Sequence, residues 1–90
     1  MLITKKDAKV ILMAAMTVNE SGCAEMISCD FSRSYTGEST CVVYIYNKQP
    51  IEEGSKIIES FASFDIDITL KDILSRILKY RKAGEKNDAV

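Results

Sequence analysis

The chain has 90 residues, 47% of them hydrophobic and 28% charged, with one proline and four glycines; that is enough for one packed core and excludes disordered, collagen-like and low-complexity classes. Twelve basic residues against 13 acidic ones make neither a polycation that coats nucleic acid nor an acidic mimic of it. Histidine and tryptophan are absent, which removes the commonest general base and the commonest metal ligand.

In chain order, the first apolar stretch is helical. Thr4 stands where an N-cap belongs, Asp7 follows three residues later as a variant of the capping box, and Gly22 fits the residue past a C-terminus, so a helix is predicted over about Lys5–Glu20. Its centre, Val10 to Met16, is apolar all the way round, which predicts burial on more than one side. With Lys5, Lys6 and Lys9 before it and Ser21-Gly22-Cys23 after it, this run superficially resembles a bacterial lipoprotein signal. Asn19 and Glu20 occupy the approach to the cysteine where that signal wants an apolar residue, and the run is far short of the ~20 residues of a membrane span. A retained helix and no membrane association are expected.

From Glu25 to Ser34 the period changes: Ile27, Cys29 and Phe31 alternate with Ser28, Asp30 and Ser32, the pattern of a strand with one wet face. Tyr35 to Ser39 reads as a turn, and Thr40–Asn47 is the most β-prone stretch of the chain, so the two runs form a hairpin. Its register stays open, because a two-residue turn at Gly37-Glu38 and a three-residue loop around Gly37 set opposite faces of the second strand against Phe31. In either case Cys41, Val43 and Ile45 share one face, Val42, Tyr44 and Tyr46 the other, and one apolar face is left wanting a cover.

Pro50 suits a first helical position, Glu52 and Glu53 complement the positive end of a dipole, and Ile51, Ile57, Ile58, Phe61 and Ala62 make a stripe. A second helix is therefore predicted, starting at Pro50 or, since Gly54 costs about 1 kcal/mol relative to alanine, at Ser55. Phe64-Asp65-Ile66-Asp67-Ile68 alternates and fits a short edge strand or an extended connector. A third helix has Thr69 as cap, Asp72 three residues on, Ile68 stapled to Ile73, and a stripe of Leu70, Ile73, Leu74, Ile77 and Leu78, with Gly84 as its end and residues 85–90 as a frayed tail. The expectation is one α+β domain over residues 1–84, in the order α-β-β-α-(β)-α, an antiparallel hairpin packed with three helices. The opening helix and hairpin resemble the start of a double-stranded-RNA-binding domain, and Gly54-Ser55-Lys56 echoes that family's basic motif before its last helix. An adjacent lysine pair, a basic loop and a clear third strand before the helix are missing, and the chain is not assigned to that family.

Chemistry is sparse. Cys23, Cys29 and Cys41 form no C-x-x-C unit, are odd in number, and have no imidazole to make a thiolate or complete a zinc site; they read as buried, reduced thiols of a cytoplasmic protein. Glycine-rich phosphate loops are absent, and Asp65 with Asp67 is a carboxylate pair without a partner motif. No catalytic residue, metal or cofactor is expected. Charge is uneven: residues 20–67 hold three basic and nine acidic residues, residues 68–90 six basic and three acidic. Arg76, Lys79, Tyr80, Arg81 and Lys82 are candidate phosphate contacts, although cations also gather at helix C-termini for dipole reasons.

By elimination the expected function is non-catalytic protein–protein binding, as an inhibitor, immunity or accessory protein of the kind that bacteria, phages and mobile elements encode, with a homodimer as one way to cover the spare surface. Val42, Tyr44 and Tyr46 are the candidate binding face, because tyrosine tolerates a half-wet position and is enriched at interfaces. The alternative is a small nucleic-acid-binding regulator using the basic C-terminal helix.

Overall fold

The computed structural model describes residues 1–82, so the expected helix end at Gly84 and the tail 85–90 lie outside the described residues. Helix α1 spans Lys5–Asn19, and strands β1 (Met26–Arg33), β2 (Ser39–Tyr46) and β3 (Ile57–Ala62) precede helix α2 (Leu70–Leu78). The strands form one antiparallel sheet in the order β1-β2-β3. The α+β class holds; among the described residues there are two helices where three were expected, in the order α-β-β-β-α.

Both helices start as their sequences dictate. Thr4 and Thr69 each accept the backbone N–H of the residue three on, and Asp7 and Asp72 each accept the N–H of the cap in return. These reciprocal bonds satisfy donors that have no partner within the helix. At the far end of α1, Gly22 takes φ 86°, a left-handed conformation that a side chain would strain.

The hairpin turns through the three-residue loop. Gly37 (φ 91°) donates to the Ser34 carbonyl and Ser34 donates to that of Glu38, a turn closed by a left-handed glycine. This sets Ile27 opposite Ile45, Cys29 opposite Val43 and Phe31 opposite Cys41. Cys41, Val43 and Ile45 therefore face the core, where Ile27 and Phe61 join Ile11, Ala15 and Val18 of α1 and Ile73 and Ile77 of α2 in one cluster.

The predicted second helix is not there. Residues 50–54 are turns and residues 57–62 are β3. Asn47 closes the connection: its backbone N–H donates to the Lys56 carbonyl, its Oδ1 accepts the Lys56 N–H at 2.8 Å, and its Nδ2 donates to the Gly54 carbonyl. Gly54 lies at φ 82°, and Glu52 receives the Gln49 N–H instead of starting a helix. Ile51, counted into the helical stripe, is 95% exposed. The deciding force is the open edge of β2, whose backbone groups need partners that a helix cannot supply.

Two further expectations change. Residues 64–68 are neither strand nor extended connector: the Asp65 carboxylate accepts the Ala62 N–H at 2.7 Å, Asp65 and Ile68 close consecutive turns, and Asp67 sits at φ 59°. Helix α1 is buried on one side only, through Ile11, Ala14, Ala15 and Val18, while Leu12, Met13 and Met16 are exposed, because both helices lie on the same face of the sheet. Helix α2 ends at Leu78, with Lys79 as its C-cap. The third strand before the last helix, found missing in the sequence, is present, so that ground for setting the chain apart from double-stranded-RNA-binding domains falls. The lysine pair remains absent, as α2 begins Leu70-Lys71-Asp72, and Gly54-Ser55-Lys56 precedes β3 and not the last helix, so that echo of the family's motif is lost.

Candidate functional site

With both helices on one side, no helix among the described residues covers the second face of the sheet. Side chains alternate across a strand, so β2 presents Thr40, Val42, Tyr44 and Tyr46 there. Tyr44 stands between Ser28 and Ser60, Tyr46 between Met26 and Ile57, and Val42 between Asp30 and Ala62. The three candidate residues are half-buried, and Ile57 and Ile58, beside the register shift opposite Tyr46, are each about half exposed at 48% and 45%. The bulge twists the strand and turns both isoleucines outward together. These residues extend the apolar strip onto β3 and escaped the sequence reading, which had assigned them to the core stripe of a helix.

The candidate phosphate contacts are placed differently. Glu59 on β3 accepts hydrogen bonds or ion pairs from three of them: Arg76 Nε at 3.3 Å, Lys79 Nζ at 3.0 Å and the Tyr80 hydroxyl at 2.6 Å. Burial pushes the Glu59 carboxyl up, yet the Tyr80 hydroxyl, the Lys79 ammonium and the Arg76 guanidinium outweigh it and hold the carboxyl below its usual range. Glu59 in turn raises the Lys79 ammonium, and burial together with Glu59 raises the Tyr80 phenol. Arg76 also lies over the Phe61 ring, 4.8 Å from its centroid. Three of the five residues thus tie α2 to β3. Arg81 is exposed, and the Lys82 N–H donates to Ser21 Oγ at the end of α1. In the sequence, Glu59 carried a signal: it is the lone acid between two pairs of apolar residues.

The thiols are not uniformly buried as expected. Cys41 is buried, while Cys23 and Cys29 are half-buried. Cys29 and Cys41 share the core face as diagonal neighbours on β1 and β2. The neighbouring Cys41 thiol lowers the Cys29 thiol, and Cys29 together with burial pushes the Cys41 thiol up. Cys23 donates to the Val18 and Glu25 carbonyls. Asp65 and Asp72 border a shallow groove with Arg76, but both carboxylates are engaged by backbone N–H groups. Among the described residues no group of three or more His, Cys, Asp or Glu side chains is placed to hold a metal ion, and no helix is long and apolar enough to cross a membrane. No family model matches the chain, and no curated protein or solved structure matches it either.

Proposed function

We propose that this protein works without catalysis, by binding another protein through the uncovered face of its sheet, with Val42, Tyr44 and Tyr46 at the centre. The observation that carries this reading is the pair of half-buried tyrosines on the central strand of a face over which neither helix lies. Tyrosine offers a large rigid contact area at low entropic cost, and aromatic anchors at the middle of a patch dominate binding energies. A cytoplasmic inhibitor, immunity or accessory protein of the kind that bacteria, phages and mobile elements encode is the matching class, by analogy of size and composition.

A second reading, a nucleic-acid-binding regulator, is favoured by one observation: a helix, three strands and a last helix follow the order that the resemblance to double-stranded-RNA-binding domains implies. Against it, Arg76 and Lys79 neutralise Glu59, and the net charge is −1. Capture from a lysate at low and moderate salt separates the two. A protein retained at both salts and lost with Tyr44→Ala supports the first reading. Nucleic acid retained at low salt alone and unaffected by Tyr44→Ala supports the second, because phosphate binding falls steeply with salt. In the first case Tyr44→Ala weakens binding by about 2 kcal/mol or more with little change in melting temperature.

A further inference from the structure

Helix α1 carries its charges against its own dipole. Lys5 and Lys6 stand in the first turn and Lys9 one turn on, the last turn has no base, and Glu20 is the C-cap. Only Asp7, spent in the capping box, has the favourable sign at its end. Cations at a helix N-terminus and an anion at its C-terminus are unfavourable for an isolated helix. Between these ends the outward side is apolar: Leu12, Met13 and Met16 are 47%, 67% and 49% exposed. With Lys5, Lys9 and Glu20 they recur at the three- and four-residue steps of one helix face, opposite the buried Ile11, Ala14, Ala15 and Val18.

A surface that fits this face is apolar in the middle, negative where it meets Lys5 and positive where it meets Glu20. A second copy of α1, laid antiparallel, has that pattern. With a two-fold axis between Leu12 and Met13, Leu12 meets the partner's Met13, the stem of Lys9 covers the partner's Met16, and Lys5 meets the partner's Glu20 beside the negative end of its helix. Each end that is unfavourable in the single chain becomes complementary in the pair. A parallel arrangement would set lysine against lysine.

We propose that the protein self-associates through α1 as an antiparallel two-fold dimer, leaving the sheet face of both copies free. The contact is small. A helix of 15 residues is about 22 Å long and offers less than the ~800 Å² per partner of a standard interface, so the expected association is weak and concentration-dependent.

Sedimentation of the full chain, from low-micromolar to several hundred micromolar, tests this. The mass should rise from 10.1 kDa toward twice that value with concentration. Met13→Glu should weaken association roughly tenfold or more, since it places a charge at the centre of the apolar contact. Lys5→Glu and Glu20→Lys should each weaken it, and the two changes in one chain should restore it, because the antiparallel pairing is then regained with signs exchanged. Lys5→Glu should at the same time leave the dilute chain at least as stable as before, the new charge having the sign that the dipole favours. All of these side chains are exposed, and circular dichroism verifies the fold of each variant. A mass of 10.1 kDa at every concentration would overturn the proposal, as would charge changes that weaken association singly and fail to compensate together. Association abolished by Tyr44→Ala and untouched by Met13→Glu would also overturn it, moving the contact to the sheet face and sparing the reading above. A persistent monomer that binds anionic phospholipid vesicles through Met13 would assign this face to a lipid surface instead.

Discussion

Ser63 shows how much a single small side chain can decide. It is buried, its N–H donates to the Cys41 carbonyl, and its hydroxyl accepts the Cys41 N–H at 3.0 Å, so it finishes the β2–β3 ladder one residue past the strand. Ser63→Ala keeps the shape and strands a buried N–H, which costs about 1–3 kcal/mol. Urea unfolding should show that loss as a lower midpoint with an unchanged slope; an unchanged midpoint would mean that the Cys41 N–H has found another acceptor. The thiols give a second residue-scale expectation. The thiolate is the reactive species, so half-buried Cys29, with its lowered pKa, should react with a thiol reagent in the native protein well before buried Cys41, whose pKa is raised. Mass spectrometry of the partly labelled protein gives the order. Modification of Cys41 first would show that β1 opens away from β2 under native conditions.

Among the elements, β3 and α2 are held together by Glu59, and the pH dependence of that joint follows from its sign. The folded carboxyl titrates below the ordinary value of 4.5, so its contribution to stability is complete above 4.5 and is lost as pH falls through the lower folded value. Lys79 is shifted upward by the same contact, so its contribution is complete below the ordinary 10.5 and is lost as pH rises through the folded value. Glu59→Gln should therefore lower the melting temperature modestly at neutral pH and flatten its decline in acid, the ion pairs being half exposed to solvent on their cationic side. A melting profile parallel to that of the unmodified protein between neutrality and strong acid would show that Glu59 does not staple the helix to the sheet.

For the whole molecule, one cluster joins both helices and all three strands, so unfolding should be a single cooperative transition. Ile45 lies fully buried at the centre of β2, and Ile45→Ala should cost about 2–5 kcal/mol while near- and far-ultraviolet signals still melt together. Separate transitions by the two probes would divide the helix layer from the sheet. The same two-layer architecture separates the two proposed binding surfaces, the tyrosine face of the sheet and the methionine face of α1. They are independent, so loss of one function by Tyr44→Ala and of the other by Met13→Glu should add without coupling in the double variant.

Local chemistry in the chain determined both capping boxes, the two strands of the hairpin, the glycine at its turn and the apolar stripe of α2. Each rests on contacts between residues a few positions apart, which the sequence displays directly. The helix assigned to residues 50–62 rested on local signals too, an N-terminal proline and a spaced apolar stripe, and these lost to the unpaired edge of β2, a demand that arises only once the hairpin exists. Tertiary structure likewise chose which side of α1 is buried. An all-round apolar helix has no preference of its own, and with both helices placed on one face of a three-stranded sheet no further layer among the described residues covers Met13 and Met16. The tyrosine face was legible as an alternation along β2, but its exposure depended on where the helices lie. The engagement of Arg76, Lys79 and Tyr80 by Glu59 joins residues about twenty positions apart in sequence, and a distance of that kind is set by the fold and not by any spacing along the chain.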